Sequence, residues 1–215
     1  MPSTIINKKK LQATLQDLSG FSNPKVNLEQ YPTSPHVAAD ILFNMQLMHG
    51  SIQGMSVADL GCGPGILSIG AGLLGASYVI SVDVDPDAIS DLVDNLDSLN
   101  MREGTIDAVL CDVTQFSSRN ERKLVDTAIL NPPFGTNRSN TGIDIKFLKQ
   151  ALHIAEQHVY SLHKTSTRNF VLRTIRDLKA NAEVVAELRF DIPRMYRRHR
   201  QDSVDIEVDL VHAWY

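Results

Sequence analysis

A hydrophobic run ends in Asn131-Pro132-Pro133-Phe134, and four residues of these types do more than stop a strand. Either proline would suffice for that, since proline donates no backbone hydrogen bond. The remainder carries chemistry. The Asn131 side chain and the Pro132 backbone each offer a carbonyl oxygen, Pro133 stiffens the turn, and Phe134 supplies a flat ring. Two carbonyl acceptors held at fixed spacing can take both hydrogens of one planar amino group while the ring stacks on the plane that bears it. Earlier in the chain, Asp59-Leu60-Gly61-Cys62-Gly63-Pro64-Gly65 forms a second constellation. Glycines at a strand-to-helix turn let a ligand approach the backbone, and the free N–H groups of a helix start favour polar or anionic groups.

Spacing selects among ligands for that loop. A dinucleotide fingerprint would need its third glycine at position 66, where Ile66 stands, and no lysine followed by serine or threonine closes the loop as a nucleoside-triphosphate cradle requires. Gly-x-Gly-x-Gly after the acid Asp59 resembles the first motif of class I S-adenosylmethionine-dependent methyltransferases. Asp83 lies at the end of the next predicted strand, where a carboxylate can accept both hydroxyls of a ribose. Asp85 points to the same side by strand alternation; the resemblance favours Asp83 and leaves Asp85 as a cap for the following helix. Asp112 follows the third strand, where such enzymes contact adenine through an acid and the next backbone N–H, here that of Val113. Asn-Pro-Pro-Phe itself resembles the motif of methyltransferases acting on a planar amide or exocyclic amine nitrogen. The adenine N6 lone pair is delocalised into its ring, so the nitrogen needs positioning and charge stabilisation more than a base: its proton leaves after methyl transfer, from a cationic nitrogen.

Other residues carry weaker signals. His153, His158 and His163 do not share a helical face and read as ordinary core or surface histidines. Cys62 and Cys111 lack metal-ligand spacing, so no metal is expected. The net charge of −4 argues against nucleic-acid binding through overall charge, but Arg189 to Arg200 is locally basic. Within it Arg197, Arg198 and Arg200 could meet RNA phosphates or belong to a solvated loop.

The elements that must position these residues alternate. Lys8 to Leu18 reads as an amphipathic helix, and Pro35 onward as a second, capped by Thr33 or Ser34. From Ser56, strand-like runs at 56–61, 78–84, 106–113 and 125–131 alternate with helical runs at 66–75, 86–100 and 143–157. A short strand at 158–163 and a helix at 165–180 follow. This rhythm predicts an α/β fold with a mostly parallel sheet covered on both faces. It ends in two strands, 182–192 and 203–214, with no helix between them, which predicts an antiparallel pair. In the last, Val204, Ile206, Val208 and Leu210 alternate with Asp205, Glu207 and Asp209, predicting one buried and one wet face. The 215 residues, 43% hydrophobic, suit one domain, with no run long enough to span a bilayer and no apolar core of a signal peptide at the N-terminus.

"LEQYPTSPHVAADIL", "VADLGCGPGILSIGAGLLGA", "DVDPDA", "LNPPFGT", "VYSLHKTSTR", "AELRFDIP" and "SVDIEVDLV" together make nearly the whole chain resemble the methyltransferase-like-five family of small-subunit (18S) ribosomal RNA adenosine N6-methyltransferases. The resemblance implies a class I methyltransferase sheet of seven strands in the order 3-2-1-4-5-7-6, strand 7 antiparallel, with residues 1–50 as a helical extension over the cofactor site. It implies S-adenosylmethionine contacts from Gln30 and Thr33 alongside Asp59, Gly61, Gly63, Pro64, Gly65, Ile66, Asp83, Asp112 and Val113. Lys164 would lie near the target nucleotide. The family also implies a small zinc-containing activator subunit, bound as a heterodimer on the exposed edge strand near 107–113, and action in the nucleus and cytoplasm. The connector after "DIP" departs from the family in being arginine-rich rather than lysine-rich. A protein glutamine N5-methyltransferase remains an alternative, because a carboxamide nitrogen presents the same geometry. A noncatalytic S-adenosylmethionine-binding scaffold is another.

Overall fold

The structure is a computed structural model that describes residues 6–102, 104–117, 122–135, 140–193 and 203–215. Two helices come first, α1 (Lys8–Gln16) and α2 (Pro35–His49). Ser34 rather than Thr33 caps α2, accepting from the Val37 N–H at 3.3 Å, with Pro35 in the first turn and Gly50 closing it in the left-handed conformation. Then β1 (Ser56–Leu60), α3 (Ile66–Leu73), β2 (Tyr78–Asp83), α4 (Pro86–Ser98), β3 (Ile106–Leu110), β4 (Val125–Leu130), α5 (Ile143–Ile154), β5 (Ala155–Lys164), α6 (Arg168–Asp177), β6 (Asn181–Pro193) and β7 (Ser203–Trp214) build one seven-stranded sheet and its flanking helices.

The sheet order is β3-β2-β1-β4-β5-β7-β6, with β7 antiparallel to both neighbours and the other pairs parallel. Alternation along the central strands feeds two cores. Val57, Val79 and Ile129 pack under α1 to α4, while Ala58, Leu60 and Leu130 pack under α5 and α6.

Three expectations are corrected. The helical pattern of 143–157 stops at Ile154, and residues 155–157 join β5, making it a ten-residue strand rather than a short one; pairing with β4 overrides local periodicity. β3 ends at Leu110, because Asp112 caps a single 3-10 turn at Val113–Gln115. The face of β7 expected to be wet is covered at Asp209, while Glu207 on the same face stays exposed at 69%. Asp209 is fully buried, receiving Arg168 Nε at 2.6 Å, Arg168 Nη2 at 2.7 Å and Thr165 Oγ1 at 2.8 Å. Packing of α6 on Val211 and Ala213 removes water from that face, and a charged partner compensates the acid.

Candidate active site

The C-terminal ends of β1, β2 and β4 open beneath α1, α2 and the segment joining them, around a cavity of about 340 Å³. The parallel strands deliver their last residues to this rim. β1 contributes Asp59, β2 Asp83, and β4 leads into Asn131 and Pro133; the glycine loop contributes Gly61, Gly63, Pro64 and Ile66. Gly63 stands at φ +52°, and a Cβ there would lie 2.7 Å from the Phe21 ring, so a side chain would both strain the backbone and crowd the cavity wall. Its N–H donates to Asp83 Oδ2 at 2.9 Å, and the Asp85 N–H donates to Asp83 Oδ1 at 2.9 Å. These bonds set the carboxylate of Asp83 at the cavity edge. Burial raises its pKa despite them.

Gln30 and Thr33 arrive on the segment before α2, which is tied down at both ends. Gln30 Nε2 donates to Asp85 Oδ2 at 2.7 Å, and Lys25 Nζ binds the same carboxylate. Asp85 also caps α4, accepting from the Asp87 N–H at 3.1 Å, as its place before Pro86 suggests. Burial would push the Asp85 carboxyl up, but the bonds from Lys25 and Gln30 outweigh it and hold it below the usual carboxylate range. Thr33 Oγ1 accepts from Asn131 Nδ2 at 3.0 Å. With its amide nitrogen engaged there, Asn131 turns its other atom away: Oδ1 is buried with no hydrogen-bond partner among the described residues, on a side chain that lines the cavity. A buried acceptor left bare is costly and marks a place where a donor is meant to arrive.

Asp59 presents a second bare acceptor. Ser81 Oγ donates to Ser68 Oγ at 2.8 Å, and Ser68 Oγ to Asp59 Oδ2 at 2.6 Å, while Oδ1 has no partner among the described residues. Burial pushes this carboxyl up to about 7. Asp59 lines the cavity, so an ammonium group is the donor that would satisfy Oδ1. The unfolded chain releases this proton near 3.8 and the folded one near 7, so between those values the folded state holds more protons. The contribution of Asp59 to stability is therefore full below about pH 4 and is lost as pH rises through about 7. An ammonium ligand needs the ionised form, and its binding should tighten roughly tenfold from about pH 6 to about pH 7.5. Calorimetry with S-adenosylmethionine checks this, and Asp59→Asn should flatten the profile.

Comparison with known proteins follows the same outline. The profile of the family "Ribosomal protein L11 methyltransferase (PrmA)" matches residues 42–132, the cofactor half, and stops before Phe134. The rRNA N(6)-adenosine-methyltransferase METTL5 of Danio rerio is 46% identical over 94% of this chain and 96% of its own. The rRNA N(6)-adenosine-methyltransferase Mettl5 of Drosophila melanogaster is 45% identical over 94% and 93%. The chain belongs to the METTL5 family of rRNA N6-adenosine methyltransferases. A crystal structure of a candidate RNA methyltransferase from Pyrococcus horikoshii superposes with a TM-score of 0.79 at 36% identity, covering 96% of this chain and 95% of that one. The cofactor of this family is S-adenosylmethionine, and the METTL5-type crevice described above suits it: a bare carboxylate oxygen for its ammonium, a strand-end acid for its ribose, and a glycine loop for its backbone approach.

Not every residue expected from the sequence lines the METTL5-type cavity. Gly65 lies behind the loop, where a Cβ would collide with Leu92 Cδ1, so its glycine serves packing and the start of α3. Asp112 spends Oδ1 on the Thr114 N–H and hydroxyl, both at 2.8 Å, and Val113 is buried; both sit beside Asp83 through the Cys111 N–H bonded to the Asp83 carbonyl at 2.8 Å. Phe134 is buried rather than open, 5.5 Å from the Tyr31 ring and edge-on to Phe190 at 6.2 Å. Lys164 ends β5, half-buried, outside the lining. Arg197, Arg198 and Arg200 lie outside the described residues. Phe21, Tyr31 and Phe147 also line the cavity, although on spacing alone each reads as core or connector. Ser161, His163 and Asp144 form a Ser-His-Asp series at 2.7 and 3.2 Å, but Ser161 is fully buried, so the series braces β5 against α5 and attacks nothing.

Proposed function

We propose that the chain transfers a methyl group from S-adenosylmethionine to N6 of an adenosine in small-subunit (18S) ribosomal RNA. The observation that carries this reading is the bare, buried Oδ1 of Asn131 beside the cavity, oriented by Thr33. When bound, S-adenosylmethionine supplies a methyl group on a positively charged sulfur, an electrophile that needs no activation by the protein. The rest falls to this chain. Asn131 Oδ1 and the Pro132 carbonyl accept the two N6 hydrogens, aim the nitrogen lone pair at the methyl group and stabilise the positive charge that builds on it. Pro133, which lines the cavity, fixes the turn that aims both carbonyls. Phe134, braced by Tyr31 and Phe190, forms the wall against which the base rests. At the other end Asp59 holds the ammonium, Asp83 the ribose, and Asp112 with the Val113 N–H the adenine of the cofactor, while Gln30 and Thr33 close the segment over it.

A transcript carrying purine riboside in place of adenosine tests the target atom. With no 6-amino group it should accept no methyl; labelling equal to that of the adenosine transcript would move the reaction to another position.

The whole chain works as one methyltransferase domain whose first 50 residues cover the cofactor, in the nucleus and cytoplasm. No described helix is long and apolar enough to cross a membrane. Its partner, a small zinc-containing activator subunit, adds a strand to β3. Of the two edges of the sheet, β6 carries Glu183, Glu187 and Arg189, charges that discourage pairing, whereas β3 ends in Leu110 at 57% exposure. Lys164 and the arginine-rich connector meet RNA. Replacing Arg197, Arg198 and Arg200 together by alanine should make the slope of log binding constant against log salt shallower by about 2, because each phosphate left without its arginine takes roughly 0.7 from the slope. Filter binding across a salt series reads this, and an unchanged slope would make the connector a solvated loop.

A further inference from the structure

Histidines that methyl transfer leaves unused gather at the opposite end of the sheet. His49 ends α2, His158 lies near the start of β5, Glu183 near the start of β6, and His212 near the end of β7. His49 Nε2 is 3.7 Å from Glu183 Oε1, and His212 Nδ1 is 3.5 Å from the same oxygen. The three atoms all lie within 4.8 Å of one another. Bonds of about 2.0–2.2 Å at tetrahedral angles put neighbouring ligand atoms about 3.3–3.6 Å apart. We propose that His49 Nε2, His212 Nδ1 and Glu183 Oε1 form a binding site for a divalent transition metal, best suited to Zn²⁺, with its fourth position open to solvent.

Two independent features point to a ligand. His212 is 2% exposed, yet its Nδ1 has no hydrogen-bond partner among the described residues; the Glu183 oxygen is too far for one. Ring stacking of His212 on Tyr160 and Trp214, at 4.6 and 4.8 Å between centroids, explains the packing but not a bare buried nitrogen. The second feature is that the far nitrogen of each imidazole is already engaged. His49 Nδ1 lies 2.8 Å from the Tyr160 hydroxyl, which leaves Nε2 facing Glu183. The other nitrogen of His212 is held likewise, 3.0 Å from His158 Nδ1. Both imidazoles thus have their second nitrogen anchored, as metal-ligating histidines do.

Glu183 is half-exposed, which gives an ion a way in. Bound there, it would staple the end of α2, and so the segment that covers the active site, to the β6–β7 pair.

The test uses the full, tag-free chain stripped with a chelator and titrated with ZnCl₂. One equivalent should bind, with a rise in Tm that saturates at that ratio. Glu183→Gln removes a ligand from an exposed position without disturbing the stacked rings. Its Tm without metal should match the parent, and its Zn²⁺ affinity should fall by more than the roughly 10–100-fold that loss of an outer partner costs. Co²⁺ gives a second reading through visible bands of four-coordinate intensity, absent in His212→Gln. No saturable binding at one equivalent, or parental Zn²⁺ affinity in Glu183→Gln, would overturn the site.

Discussion

Asn131→Ala abolishes most methyl transfer, lowering kcat by about 10²–10³-fold, while S-adenosylmethionine binds within a few-fold of its parental affinity. The expectation follows from what the side chain touches. Its nitrogen is bonded to Thr33 and its oxygen to nothing among the described residues, so truncation removes an acceptor that is used only when the target amine is present. Asn131→Asp keeps an acceptor in place and should retain more activity than the alanine variant. Single-turnover kinetics and calorimetry read the two properties separately. Equal loss of both would make Asn131 a brace for the Thr33 segment, since that bond is the other thing the substitution breaks.

The second large effect is on the cofactor. Asp83→Ala should weaken S-adenosylmethionine binding by about a hundredfold, because hydrogen bonds to a charged group contribute about 1.5–3 kcal/mol each. Asp83 also anchors the N–H groups of Gly63 and Asp85, so a loss of affinity by itself could reflect a loosened loop. An analogue lacking the ribose 2′-hydroxyl separates these causes. The parent should bind it about tenfold more weakly than the full cofactor, whereas the variant should not distinguish the two. A variant that discriminates as the parent does would move the ribose contact to Asp85 or elsewhere.

What could be read before the fold was known is what proximity in sequence supports. The glycine loop, the acids at the ends of β1 and β2, and the tetrapeptide after β4 each declare themselves within a few residues, and parallel strands bring those ends to one rim. The Asp85 cap was legible for the same reason, standing directly before Pro86. Interactions across long separations were not. The Thr33–Asn131 bond spans 98 residues, and no local pattern says that a threonine before α2 will fix which way an asparagine after β4 faces. The wet face assigned to β7 holds at Glu207 and fails at Asp209 for a similar reason: alternation predicts which residues share a side, but not that α6 will cover part of the polar one and supply Arg168 to Asp209. His49, His158, Glu183 and His212 come from four elements, and their meeting depends on the antiparallel β7 passing between β5 and β6. Gly65 shows the converse. It has the residue type of a ligand contact, but packing against Leu92 accounts for where it stands.

The measurement that bears most directly on the central claim is to incubate the chain, with and without the proposed activator subunit, with methyl-labelled S-adenosylmethionine and total RNA, then digest the RNA and identify the labelled nucleoside. N6-methyladenosine confined to small-subunit ribosomal RNA, and lost with Asn131→Ala, is the expected result. Label appearing in protein glutamine, or in no nucleoside under conditions where the cofactor binds, would contradict it.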